Sequence, residues 1–113
     1  MSVSASHEAS YATEDDLFAI LATDSTEDVT LPGGAIVRVR GLTRAEHLWI
    51  GKGTEDGAEI EARMMSKAVL FPALNLAAAK RFQESAPSSV VAAITDRIRA
   101  LSGFGEGAKK SPV

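Results

Sequence analysis

An alternating segment followed directly by a helix-start signal constrains the fold of this chain more than any other feature. Residues 28–46 read DVTLPGGAIVRVRGLTRAE. Residues 36–40 alternate β-branched and charged side chains, which is the period of a strand with one buried face. The Pro-Gly-Gly run before them favours a tight turn, so residues 28–41 are predicted to form a β-hairpin with one solvent-exposed face. Thr43 and Glu46 have the spacing of a capping box, which predicts that a helix begins between them.

The remainder of the chain has the periodicity of helices. Apolar residues recur at helical spacing in each segment, and Pro, Asn or Gly residues stand where the segments begin or end. The predicted helices cover residues 44–52, 56–71, 75–85 and 87–102, with a shorter helix after Thr13. The predicted fold class is α+β, mostly α, with an N-terminal β-hairpin followed by a small bundle of about four helices. The expected organisation is a disordered leader over 1–12, a single domain over 13–104 and a disordered tail over 105–113.

Length and composition limit the classes of function. A chain of 113 residues has room for one small core, and a domain of this size often completes itself on a partner. It contains no cysteine, so disulfides and thiolate metal sites are excluded. The net charge of -3 disfavours binding driven by nucleic-acid phosphates. No apolar stretch is long enough to span a membrane and residues 1–10 lack the pattern of a secretory signal, so a cytosolic protein is expected.

Several fragments that resemble chemical motifs are better explained structurally. The GKGT run at 51–54 has the wrong spacing for a phosphate-binding loop and is interpreted as an ordinary loop. His7 and His47 have no second ligand at metal-binding spacing. Ser88 and Ser89 fit the first turn of a helix, where hydroxyls satisfy backbone donors. The sequence therefore predicts no catalytic residue, no metal ligand and no cofactor.

Three arginines could form a basic patch on the exposed face of the hairpin. Arg38 and Arg40 alternate along the second strand, and Arg44 opens the following helix. Charged side chains also protect an exposed strand from pairing with other chains, and this is the favoured interpretation.

Large apolar side chains are the candidates for partner binding. Met64 and Met65 are adjacent on a predicted helix and point about 100° apart, so one of them could border an exposed groove. Trp49 is interpreted as structural, packed between the hairpin and the last helix. The helix after Thr13 is too short to be stable alone, so it either docks on the body or binds a partner. The candidate partner-binding residues are Met64, Met65, Phe71, Phe82, Leu17 and Phe18, and the structural positions are Thr43, Glu46, Trp49, Pro72, Pro87 and Gly103.

Three pieces of sequence, in this order and spacing, carry a family resemblance. They are the hairpin VTLPGGAIVRVRGLTRAE, the closing PSSVVAAITDRIRALSGF and, between them, the positions Ala62, Met65, Leu70 and Pro72. Together they resemble the tail assembly chaperones of long-tailed bacteriophages, over about Leu17 to Phe104. The family often has a polar or acidic residue before the mid-chain proline, whereas this chain has Phe71.

The resemblance implies a non-enzymatic chaperone that binds the phage tape measure protein, keeps it soluble and helps recruit the tail tube protein. It also implies location in the host bacterial cytoplasm, absence from the mature virion and a longer form of the protein made by ribosomal frameshifting. Homo-oligomers could form as well. A small acidic body with an apolar helix surface suits the helix-in-groove mode of recognition. The alternatives are a structural tail or head-tail completion protein of the virion and a small DNA-binding regulator that uses the helix from Arg44.

Overall fold

The computed structural model describes residues 11–21 and 25–103. Within these ranges the chain forms five helices and one three-stranded antiparallel sheet, which confirms the α+β, mostly helical fold class. The elements in chain order are α1 (Glu14–Phe18), β1 (Thr26–Thr30), β2 (Ile36–Arg40), α2 (Arg44–Ile50), α3 (Gly57–Ala68), β3 (Val69–Phe71), α4 (Leu76–Ser85) and α5 (Ser88–Leu101). The predicted tail over 105–113 and most of the predicted leader over 1–12 lie outside the described residues.

The hairpin forms as its sequence pattern predicts. β1 and β2 pair in antiparallel register, with Val29 opposite Val37. Gly33 and Gly34 adopt φ angles of 92° and 98° in the connecting turn, a backbone conformation that side chains with a Cβ rarely adopt. Val37 and Val39 are buried while Arg38 between them is exposed, so the sheet has one face on the core and one in water.

A third strand occupies residues 69–71, where the sequence predicts the end of a helix over 56–71. That boundary is wrong, because α3 ends at Ala68 and Val69 pairs with Val39 on the free edge of β2. β-branched and aromatic residues favour extended backbone, and Pro72 restricts the residue before it to the same region. The resulting strand order is β1-β2-β3.

Local signals at the helix ends match the structure closely. The hydroxyls of Thr13 and Thr43 each accept a hydrogen bond in a complete capping box, and the side chain of Asn75 caps α4. Pro87 occupies the N-cap of α5, so this helix begins at Ser88, one residue later than predicted. Gly103 has a φ of 93° directly after α5, as expected of a glycine that terminates a helix.

The core forms around α3, which contacts α2, α4, α5 and β3. Met64 and Met65 are both buried, so the prediction that one of them borders an exposed groove is wrong. Because other elements pack on several sides of α3, its buried surface is wide enough to include two adjacent residues. Ala62 and Ala68 are buried on it as well. None of the helices in the described ranges is long and apolar enough to cross a membrane.

The end of the hairpin is attached to the end of α5. A Cβ at Gly41 would lie 2.7 Å from the carbonyl oxygen of Leu101, so only glycine allows this close approach. Next to it, the Leu42 N–H donates to the Ser102 hydroxyl at 2.8 Å, and that hydroxyl donates to the Ile98 carbonyl at 2.6 Å. These contacts bring the first and last parts of the body together.

Candidate partner-binding site

An apolar cleft of about 230 Å³ opens between the hairpin turn, β3 and α4. Every residue that lines it is apolar, and the main contributors are Leu31, Ile36, Val37, Leu74, Phe82 and Ile94. An open cleft lined only by apolar side chains fits an apolar ligand or a side chain of a partner protein.

The two strands and α4 position the walls of the cleft by their ordinary periodicities. The alternation of β2 turns Val37 inward, while Ile36 at the start of the strand stays 59% exposed at the rim. Phe82 belongs to the apolar stripe of α4 and packs partly buried against the core. The pairing of β3 with β2 brings Val69 and Leu74 to the same cleft, although they are distant from the hairpin in sequence.

The structure separates the candidate partner-binding residues into three groups. Phe82 lines the cleft, and Phe71 is exposed on the outer face of the sheet, directly before the lining residue Pro72. Met64 and Met65 are core residues and present no surface to a partner. The third group comprises Leu17 and Phe18 of α1.

An exposed apolar segment runs through α1 and the residues after it. Leu17 and Phe18 are 61% and 73% exposed, and Ile20 and Leu21 are exposed as well. No side chain of α1 is buried. Four large apolar side chains in so short a segment form a patch of the kind that marks an interaction site. We call residues 14–21 the α1 segment.

Trp49 lies against α3 and not between the hairpin and the last helix as predicted. Trp49 is 37% exposed as a residue, and the Lys67 ammonium and the Arg63 guanidinium lie over its ring at 4.9 Å and 5.4 Å from the ring centroid. The reason is the orientation of α2, which buries Ile50 in the core. The neighbouring position then points sideways, to the charged side chains of α3.

Arg63 fixes the end of α2 and the following loop. Its Nη1 donates to the carbonyls of Trp49, Ile50 and Lys52 at 3.2, 3.4 and 2.8 Å, which satisfies acceptors that a helix end leaves free. Its Nε donates to Glu59 at 2.9 Å, an ion pair between residues four apart on the same helix. The GKGT run is therefore part of a structural turn after α2.

Glu59 also accepts a hydrogen bond from Lys80 at 2.8 Å, which joins α3 to α4. The hydrogen bond from Lys80, followed by that from Arg63, holds the pKa of Glu59 below its ordinary value. Among the described residues no group of three or more His, Asp or Glu side chains could hold a metal ion.

Acidic partners neutralise two of the three arginines on the hairpin side. Arg38 pairs with Asp28 across the strands at 2.7 Å. Arg40 forms a bidentate ion pair with Glu46, in which Nη1 donates to Oε1 at 2.8 Å and Nη2 donates to Oε2 at 2.7 Å. Its Nη1 also donates to the Gly41 carbonyl. These pairs agree with the interpretation of the arginines as structural charges rather than as a patch for phosphates.

Comparison of the chain with protein-family models, curated proteins and solved structures finds no match. The cleft, the α1 segment and the sequence resemblance are therefore the basis for assigning a function.

Sequence reasoning did not identify the cleft, since its walls come from separate elements. Leu31 precedes the turn of the predicted hairpin, Leu74 lies between two predicted helices, and Ile94 belongs to the last predicted helix. The pairing of β3 with β2 and the packing of α4 and α5 on the core bring these walls together. The short run of β-branched and aromatic residues before Pro72 is the one signal that could have indicated this pairing.

Proposed function

We propose that this protein is a non-enzymatic tail assembly chaperone that binds an amphipathic helix of a phage tape measure protein and keeps that protein soluble. The observation that supports the proposal most directly is the open cleft, whose lining is entirely apolar. The sequence resemblance supplies the identity of the client.

A helix in the cleft would use the helix-in-groove mode, with one or a few large apolar side chains inserted as anchors. Burial of each such side chain stabilises the complex by about 1.5–3 kcal/mol, from which the cost of association is subtracted. A cleft of about 230 Å³ takes only a few side chains, so binding at any one site is weak and reversible. Reversibility suits a chaperone that must release its client when tube subunits assemble.

The alternatives fit the charges and surfaces less well. A DNA-binding regulator needs cations directed at phosphates, but Arg38 and Arg40 are paired with carboxylates. A virion component would need a permanent interface, which is usually larger than this cleft. Recruitment of the tail tube protein, location in the host cytoplasm and the longer frameshifted form remain predictions from the resemblance.

Co-expression with a tape measure fragment tests the proposal. We expect more soluble fragment and a complex in a pull-down when the protein is present. Ile36→Ser at the cleft rim should reduce the soluble yield several-fold. Leu48→Ser is the matched control, because Leu48 is 56% exposed, much like Ile36, but lies on α2 and does not line the cleft. If the fragment is equally soluble without the protein, the chaperone function is wrong.

A further inference from the structure

This chain has both an apolar cleft and an exposed apolar segment, α1, that could fill such a cleft. The cleft is concave and apolar, and the α1 segment carries Leu17, Phe18, Ile20 and Leu21 exposed on a short stretch of chain. The acidic residues of the α1 segment lie in its first turn and its apolar residues lie at its C-terminal end. The apolar end can therefore enter a cleft while the charged end stays in water.

The chain between α1 and the sheet is long enough for this contact. Residues 19–25 reach about 25 Å when fully extended. The cleft lies at the turn end of the hairpin, one length of β1 away from Thr26, and a five-residue strand is about 17 Å long. With residues 19–25 as the tether, Leu17 and Phe18 of α1 can therefore reach the cleft of their own chain.

A tethered segment has an advantage over any separate ligand. A short tether holds its end at an effective concentration in the range of about 1 mM, and the closure loses little additional entropy. The capping box of Thr13 and Asp16 further favours the helical form of the segment before it docks.

We propose that the chain also adopts a second conformation, in which α1 docks through Leu17 and Phe18 in the apolar cleft of its own chain until a client helix displaces it. Docking needs no client, whereas displacement rests on the proposed function. In that conformation α1 covers the cleft, which limits aggregation through an exposed apolar surface.

Cross-linking of engineered cysteines tests docking directly, since the native chain has none. One variant carries Ala19→Cys with Ala35→Cys at the cleft, and the control carries Ala19→Cys with Ala45→Cys. Ala35 and Ala45 are both exposed. Ala45 lies near the end of β2 that pairs with Thr26, so it is nearer to the tether than the cleft is. A freely moving segment would therefore favour the control pair.

With a short thiol-reactive cross-linker and dilute protein, we expect the cleft pair to form the intramolecular product about tenfold faster than the control pair, a factor equivalent to about 1.4 kcal/mol. Adding Leu17→Ser and Phe18→Ser should lower the rate of the cleft pair to that of the control. Both side chains are exposed in the described structure, and an unchanged thermal midpoint would show that the body stays folded.

Equal rates for the two pairs would overturn the proposal, as would a rate that Leu17→Ser and Phe18→Ser leave unchanged. Cross-linked product found only at the mass of a dimer would overturn docking within one chain in favour of docking between two copies. The same double variant should bind a tape measure fragment several-fold more tightly than the native chain. If neither protein binds the fragment, the proposed function fails while the cross-linking result stands.

Discussion

The carboxylate of Glu46 performs two roles at the junction between the hairpin and α2. It accepts the Thr43 N–H at 2.9 Å as part of the capping box and receives both Nη atoms of Arg40. The hydrogen bonds from Arg40, with smaller contributions from Thr43, lower the pKa of Glu46 to about 2. A lowered pKa means that the ionised form is bound more strongly in the folded protein than in the unfolded chain.

Glu46→Gln should therefore destabilise the protein in a pH-dependent way. The stabilisation from the carboxylate is fully present above its ordinary pKa of 4.5 and is lost as the pH falls towards about 2. We expect a loss of about 1–3 kcal/mol at pH 7 that shrinks across this range, measured by denaturant unfolding at several pH values. Glu84→Gln on the exposed side of α4 is the control. A difference that stays constant with pH would contradict this role of Glu46.

A substitution at Gly41 tests the close contact between the end of the hairpin and the end of α5. Gly41→Ala would place a methyl group 2.7 Å from the Leu101 carbonyl oxygen, so the backbone must move, and we expect a loss of about 1–3 kcal/mol in the free energy of unfolding. Gly51→Ala is the matched control, because nothing lies within 4 Å of its Cβ position and its φ of -98° suits any residue. Similar effects of the two substitutions on the denaturation midpoint would refute the close contact.

At the scale of elements, α3 contributes its two methionines to the core and its long charged side chains to the support of α2. This division predicts a rank order for two substitutions. Met65→Ala removes a fully buried side chain and should cost about 2–5 kcal/mol. Trp49→Ala should cost less, about 1–2 kcal/mol, since the residue is partly exposed and its ring is held by two cation–π contacts. Thermal unfolding of both variants checks the order, and a larger effect at Trp49 would indicate tighter packing there.

The elements that sequence predicts correctly are those with local signals. The glycines of the hairpin turn, the capping box of Thr43 and the periodicity of α5 each lie within a few residues, so they act before any tertiary contact. Burial of both Met64 and Met65 depends on which helices pack around α3, and β3 depends on a free edge of β2 far away in sequence. The exposed apolar residues of α1 are neighbours in the sequence, so the sequence alone could identify them as candidates. The cleft is formed by segments that are distant in the sequence, so the sequence alone could not identify it.

For the whole molecule, the resemblance predicts two protein products in infected cells. The longer product would share this chain up to near its C-terminus and continue in a shifted reading frame. Because α5 ends at Leu101 and Gly103 terminates it, sequence beyond this point could differ between the forms without altering the described body.

Mass spectrometry of infected cells should detect peptides that run from Phe104 into a second frame, and purified virions should contain neither form. Detection of this chain in purified virions at a fixed ratio to the tube protein would instead favour a structural virion component. Absence of any longer product, together with a gene that lacks a slippery heptamer, would refute the frameshift prediction.

The position of β2 in the centre of the sheet has a consequence during synthesis. Its pairing with β1 joins neighbouring segments and can form as soon as both have left the ribosome, whereas its other edge must wait until residues 69–71 have been made. During that interval the nascent hairpin has an unpaired strand edge. Arg38 and Arg40 place charged side chains along that strand, which discourages its pairing with a second nascent chain.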